Sequence, residues 1–393
     1  MPTARTTEPA ATVERLRVLH VVTLHTPENA FGGPTRVALN LARGLNARGG
    51  RARLVALADG FDDLPHAVEG VPARLYRRQR LAPALEVSGI TSLALGADLP
   101  RLVRRADVVH VHLMRDLVTL PAAAVALAAG APLVVQTHGM VDPSSKPLAR
   151  FFDALVVRRV LRRADVLLHL TDEERDDVRA TARAALPQAR RLVNGVELQP
   201  RRPLPQAPRV LYLARLQDRK RPEDFVRCMP AVLAQHPGAR FVLAGSDSGA
   251  LARTLAVADE LRVRDRLEVL GGLPHDEALA ELARASVYVL PSVGETFPVS
   301  VLEAMACGVP AVVTSSNGLA PDVAEAGAGA VGDDVPALAA AVARLLDPEA
   351  NDAASRAAHA LVAARYSIDA VVDELAHAYA DARTAHPARR ATA

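Results

Sequence analysis

At 393 residues the chain exceeds the usual size of one hydrophobic core, which implies two domains of roughly 150 to 200 residues each. Half the residues are hydrophobic, 23% are charged and only 3% are aromatic, so the core is largely aliphatic and the stacking platforms of nucleic-acid binders are excluded. A net charge of +3 suits a small anionic ligand better than a phosphate-tracking surface, and two cysteines without metal-ligand spacing exclude a disulfide framework and fit a reducing compartment.

Residues 1–14 have no charged segment followed by an apolar one, and no later apolar run reaches the length of a bilayer span. The expectation is an unstructured tail leading into a cytoplasmic protein. From residue 17 the runs RVLHVV, LVALA, DVVHVH, PLVVQTH, DVLLHLT and RRLVNGV alternate with helix-length stretches. That alternation predicts a parallel, doubly wound α/β domain over residues 15–200. Within it FFDALVVRRVLRRAD, residues 151–165, mixes apolar residues with arginines. Its apolar face and the strand that follows favour a packed crossover helix over a membrane-binding patch.

The stretch ELQPRRPLPQAPR, residues 197–209, carries four prolines and no apolar period, and reads as a linker. A second βα series follows with RVLYLARL, RFVLAGS, LEVLGG, VYVLPS and PAVVTS, giving a second Rossmann-like domain over residues 201–368 with a helix expected over Pro222–Gln235. An amphipathic stretch at 369–383 comes after that sheet is complete and is expected to pack back on the first domain. Residues 384–393 are expected to form an unstructured tail.

Several activities lack an anchor. HVVTLHTPENAFGG is too long and too poor in glycine for a G-x-G-x-x-G turn, and no phosphate loop, G-x-S-x-G elbow, H-E-x-x-H or C-x-x-C pattern occurs. There is also no D-x-D pair to hold a metal on a diphosphate. Cationic side chains and helix ends would have to neutralise such a ligand.

Two constellations answer that requirement. In PSVGETFPVSVLEAMACGVPAVVTS, residues 291–315, a strand end leads to Glu295 and to a helix opening near Pro298 that carries Glu303 among apolar neighbours. Free amides at the helix start, from about Thr296 to Ser300, suit a phosphate, and a largely buried Glu303 suits ribose hydroxyls or an internal arginine. In YLARLQDRKRPEDFV a strand ends at Arg215 and a short loop reaches Lys220. Lys146 and Lys220 are the only lysines among 47 basic residues, so a compact ammonium at a strand end, where open α/β sheets bind ligands, is a specific choice against an otherwise arginine-rich turn.

These segments resemble the retaining glycosyltransferase family 4. ARLQDRK is similar to its G-R-L-x-x-x-K segment, ETFPVSVLE to its E-G-F-G-x-x-x-x-E segment, and QTHGM and FGGPTR to its first-domain signatures. The resemblance implies the GT-B architecture, α/β with two facing Rossmann-like domains and a cleft between them. It further implies that Arg215 and Lys220 hold the donor diphosphate, that Glu303 binds ribose, and that Glu295, with Thr296, Phe297, Pro298 and Val299, lies along the transferred sugar. His138 would reach the sugar from the first domain, and Gly32 and Gly33, ahead of a helix opened by Pro34, would approach the donor. Arg36 would face the acceptor or the wall of the cleft.

The implied activity is transfer of a hexose-type sugar, with retention, from a nucleotide-diphosphate donor to a hydroxyl of a saccharide, glycolipid or secondary metabolite. No cofactor or metal is implied, and neither nucleic acid nor membrane is a favoured partner. A nucleotide-sugar epimerase and an inactive nucleotide-sugar-binding regulator are the alternatives. Ala214, Arg221, Thr296 and Pro298 stand where the family pattern has glycine.

Overall fold

In a computed structural model the described residues are 13–27, 32–81, 88–186, 188–203 and 207–391, with side chains to 386. They divide into two compact units. The first holds residues to Thr26, Pro34–Asn194 and Ile368 onward, and the second holds Pro27–Gly33 and Gly195–Ser367.

The first unit contains strands β1 (Arg17–His25), β2 (Arg51–Ala58), β3 (Ala67–Val68), β4 (Val71–Arg77), β5 (Gln79–Arg80), β6 (Ile90–Thr91), β7 (Val108–His112), β8 (Leu133–Gln136), β9 (Val166–His169) and β10 (Gln188–Arg191). Eight of them form one sheet in the order β10-β9-β8-β7-β1-β2-β4-β3, parallel except for the short β3, while β5 and β6 pair separately. Five of the six strands expected from the sequence are present, and the sixth, expected over RRLVNGV, is instead Gln188–Arg191, sharing only Arg190 and Arg191 with that run. Strands β3 to β6 are additions, and they fall in a stretch of charged residues and short apolar runs that carries no strand-length pattern. The strands β1, β7, β8 and β9 are buried on both faces and mainly aliphatic, as a sheet covered on both sides requires, with His20, His110 and His112 among the buried polar exceptions on β1 and β7.

The second unit contains β11 (Arg209–Leu213), β12 (Arg240–Ala244), β13 (Leu267–Gly271), β14 (Val287–Leu290), β15 (Ala311–Val313) and β16 (Gly329–Val331), ordered β13-β12-β11-β14-β15-β16 and all parallel. β16 was not expected. It seats against β15 because a Cβ at Gly329 would lie 1.8 Å from the Ala311 carbonyl oxygen, an approach open only to glycine. In each sheet the chain winds outward from the first strand in both directions, so the order reverses beside β1 and beside β11. Ligands of open α/β sheets bind beyond the strand carboxyl ends at such points.

Three expectations are corrected in the helices. The helix expected over Pro222–Gln235 is two, Pro222–Arg227 and Met229–Gln235, because Pro230 cannot continue the ladder and begins a new first turn. The crossover helix near 151–165 runs from Pro147 to Arg163 with a π-helical turn at Asp153–Val157. It buries Val157, Val160 and Leu161 and leaves Phe151 and Leu155 exposed.

The third correction concerns 384–393, which is not a free tail as far as it is described: the helix Ile368–Ala391 continues through it. That helix packs on β7, β8 and β9 and buries Val371, Val372, Leu375, Tyr379 and Ala382, spaced for one helical face, with Val372 against Gly44 of the helix Gly32–Ala47. His386 pairs with the Gly130 carbonyl at 2.7 Å and with Asp165 at 3.3 Å. At the helix start Arg48 donates to the Asp369 carbonyl and pairs with Asp373. The unstructured tail expected over 1–14 lies outside the described residues apart from Val13, which is buried, and Glu14.

Candidate active site

The reversal beside β11 brings the two second-domain constellations together. β11 leads to Arg215 and to a tight turn at Asp218–Lys220, and β14 leads to the loop 291–298. The loops are stitched at the backbone, where Val293 N–H donates to the Arg219 carbonyl at 2.9 Å. Tyr212 hydroxyl donates to the Arg215 carbonyl at 3.2 Å, which holds the end of the strand.

Between the loops Lys220 Nζ lies 2.8 Å from Glu295 Oε1, and Arg219 approaches the same oxygen at 3.2 Å. Lys220 and Glu295 are largely buried, whereas Arg219 is 58% exposed. Burial pulls the Lys220 pKa down, and the Glu295 carboxylate opposes that pull. Burial also lowers the Arg215 pKa, with repulsion from Arg219 adding to it. Two cations, Lys220 largely and Arg215 partly buried, are therefore held close together at a strand edge, at an electrostatic cost that an anionic ligand would offset. Arg219 looked from the sequence like a mark of a generally basic turn, but it is part of the cluster.

Arg221 follows at φ +51°, in the left-handed region. This explains the glycine of the family pattern, and an arginine there carries a backbone cost of about 1–2 kcal/mol. The departure at Ala214 is accommodated differently: its carbonyl oxygen would be 1.9 Å from a Cβ at Gly245, so the close approach is supplied by the glycine opposite.

Glu295 is fixed from behind. Its carbonyl accepts from Gly318 N–H at 2.7 Å, and a Cβ on Gly318 would stand 1.8 Å from the Thr296 carbonyl oxygen. Thr314 donates to the Ser292 carbonyl at 2.6 Å, and Gly294, at φ +68°, donates to Ser316 Oγ at 3.1 Å. Phe297 and Pro298 turn inward, Phe297 packing edge-on against Tyr366 with ring centroids 5.6 Å apart. Pro298 is the extended residue that caps the helix Val299–Ala306. Tyr288 hydroxyl donates to the Leu213 carbonyl at 3.0 Å and pairs with Ser300 Oγ at 2.8 Å, tying the helix start to the end of β11. Glu303 is 9% exposed on that helix, with His275 Nδ1 3.9 Å from its carboxylate.

His138 belongs to the first unit, in the T-H-G loop after β8, at φ +52°. A buried carboxylate that sequence reasoning missed imposes this conformation. Glu174 Oε1 accepts from Thr137 Oγ1 and from Gly139 N–H, both at 2.6 Å, while its other oxygen accepts from Leu170 N–H at 2.6 Å. The available signal was T-x-x-E at 171–174: Thr171 caps the helix Asp172–Ala182 and accepts from Glu174 N–H. His138 Nε2 pairs with His112 Nδ1 at 2.7 Å.

Gly32 and Gly33 do not precede their helix, as expected, but form its first turn in Gly32–Ala47, where Pro34 fits because first-turn amides have no helical partner. Arg36 is paired with Glu69 at 2.5 and 2.7 Å and is 7% exposed, which gives it a structural role.

The two sheets are those of the GT-B fold. The sucrose-phosphate synthase of Thermosynechococcus elongatus superposes with a TM-score of 0.70 at 22% identity, covering 93% of this chain and 98% of that one. Anabaena HepE in complex with UDP and glucose superposes with a TM-score of 0.72 at 16% identity, covering 92% and 98%. Residues 32–197 match the model of the glycosyl transferase 4-like domain, and residues 207–348 match that of glycosyl transferases group 1. The glycogen synthase of Mycobacterium tuberculosis is 31% identical over 292 residues, 71% of this chain and 70% of that protein. The 2-deoxystreptamine N-acetyl-D-glucosaminyltransferase of Streptomyces fradiae is 30% identical over 332 residues, 74% and 76%. The chain belongs to the group 1 glycosyltransferases of family 4 and is a glycosyltransferase. Among the described residues no helix is long and apolar enough to cross a membrane.

Proposed function

We propose that the protein transfers a hexose-type sugar from a nucleotide-diphosphate donor to a hydroxyl acceptor with retention of anomeric configuration and without a metal. The observation that carries this reading is the Lys220–Glu295 pair at 2.8 Å, with Arg215 half-buried beside it at the point where the second sheet reverses. In this reading the diphosphate takes the place of Glu295 as partner of Lys220 and Arg215, and the freed Glu295 turns to hydroxyls of the sugar. The cations then stabilise charge that grows on the leaving phosphate as the C1–O bond breaks. The acceptor oxygen bonds to C1 on the same face, and its proton passes to a leaving-phosphate oxygen. Glu303 accepts from the ribose hydroxyls. His138 contributes from the first domain, and Gly32 and Gly33 allow backbone to approach the donor.

The absence of a D-x-D pair and the convergence of cations support a metal-free donor site. A thermal-shift screen of UDP, GDP, ADP and dTDP sugars tests binding, because a ligand at about 100 times its Kd stabilises by about 2.7 kcal/mol. Turnover measured in the presence of a chelator tests metal independence. The anomeric configuration of the product, read by NMR, tests retention. No shift with any nucleotide sugar overturns the reading.

A further inference from the structure

His275 stands outside the two constellations of the second domain, and the fold brings it to Glu303. β13 ends at Gly271, which lies at φ +72°, and Gly272 and Leu273 carry the chain to Pro274, the cap of the helix His275–Arg284. Because the sheet is all parallel, this turn lies on the same carboxyl edge as Arg215 and the loop of Glu295. The helix packs on the helix Val299–Ala306. Its first residue thereby puts His275 Nδ1 3.9 Å from Glu303 Oε1, with the two side chains 13% and 11% exposed. An approach of about 1 Å would bring the two atoms to hydrogen-bond length.

Glu303 needs such a neighbour. Val301, Leu302, Ala304, Met305 and Ala306 on its helix are all buried. Burial and the Glu303 charge push the Cys307 thiol up to about 11, and burial with the charges of Glu295 and Glu303 raises the Tyr288 hydroxyl as well. A carboxylate in that setting is costly unless a donor or a positive group faces it. The imidazole offers a donor, and the amino end of its helix adds the positive end of a dipole. Asp276 and Glu277 in the same turn are exposed, so solvent screens their opposing charge. A carboxylate held from that side is presented in one orientation, and it loses less rotamer freedom when a ligand arrives.

We propose that His275 is a positioning residue that fixes Glu303 so that its carboxylate meets the ribose 2′- and 3′-hydroxyls together, and that the donor site thereby selects ribonucleotides over 2′-deoxyribonucleotides. The inference rests on the role given to Glu303 in the function proposed above. Two neighbouring hydroxyls match the two oxygens of a carboxylate in one orientation only. A ligand without the 2′-hydroxyl leaves one oxygen of a largely buried anion without its donor, which is how a site built to pair a hydroxyl rejects the analogue that lacks it. When His275 is removed the carboxylate turns, and the 2′-hydroxyl ceases to matter.

Calorimetry on the full-length protein measures Kd for UDP, GDP and ADP and for the 2′-deoxy form of each. The parent should favour the ribonucleotide of the base it binds by about tenfold or more, the worth of one charge-assisted hydrogen bond. His275→Ala should bring that ratio to within about threefold of one through weaker binding of the ribonucleotide, whereas His275→Gln, which keeps an N–H donor, retains most of the preference. In a Glu303→Ala background the further change His275→Ala should leave the ratio where it is. His275→Leu replaces His275→Ala if the latter does not fold. A ratio unchanged in both of those variants, an equal loss of both nucleotides, or a parent that binds nucleotides without preference overturns the inference while the function stands. A ratio that still changes in the Glu303→Ala background means that His275 meets the ribose itself, which overturns the positioning role. A parent that binds none of the nucleotides refutes the function and the inference with it.

Discussion

Lys220 is kept as a cation against the cost of its own burial, and Glu295 is what keeps it so. The two substitutions should therefore behave differently. On the proposed function Lys220→Ala removes charge from the leaving phosphate, so kcat is expected to fall by about a hundredfold or more while the thermal unfolding midpoint stays near that of the parent. Glu295→Ala strands a largely buried ammonium beside Arg215 and Arg219 and should also destabilise the protein, by about 1–3 kcal/mol, read as a shift of the urea midpoint. If Glu303 binds ribose as proposed, Glu303→Ala should raise the Kd for the nucleotide by about ten- to a hundredfold in calorimetry, the worth of the charge-assisted hydrogen bonds lost. An unchanged Kd would refute its assignment. The placement of Arg215, Lys220 and Glu295 was legible in the sequence because each follows the end of a strand by a short loop. Glu174 was not, because E-E-R-D-D reads as a solvated helix face until the fold places the T-H-G loop above it. The buried histidines beside His138 were hidden as well, for His20, His110 and His112 come together through strand register and meet a tyrosine, Tyr379, more than 260 positions from His110.

The loop after β14 is precise because a second loop is pressed against it without side chains between. Gly318→Ala must displace the Thr296 carbonyl, since the added carbon would stand 1.8 Å from its oxygen. The expected outcome is a loss of donor-sugar affinity together with a lower thermal midpoint. A variant with parental KM and midpoint would show that the loop yields easily. Elements of strong period were readable: the core strands of both sheets appear where β-branched runs stand between helix-length stretches. Short elements were not. β3 and β16 are two and three residues long and exist by pairing with neighbours the sequence does not announce. The break at Cys228 was signalled by Pro230 and overlooked because the apolar period runs on through it.

At the level of the molecule, the four buried histidines His20, His110, His112 and His138 make stability depend on pH. Their folded pKa lies below the usual 6.5, at about 3 for His20 and His138, so the unfolded chain binds more protons anywhere between. Stability is then fully present above pH 6.5 and is lost as pH falls, each histidine contributing a slope of about 1.4 kcal/mol per pH unit below that point. Urea midpoints should drop steeply between pH 7 and pH 5.5, and less so in His112→Gln if that variant folds. A flat profile would mean that the buried rings accept protons. Two domains and a linker were legible from length and proline content, although the boundary on contacts falls at Asn194, and Ile368 onward returns to the first unit.

That return makes the first unit discontinuous in the chain. During synthesis the residues of the second unit are all available before Ile368–Ala391 emerges, so the unit begun first is completed last. Until then the backs of β7, β8 and β9 have no cover, and His110 has no Tyr379 hydroxyl to meet. A nascent chain stalled before residue 368 should carry a finished second domain and an adhesive, unfinished first one, and the two halves of the protein cannot be separated by a single cut.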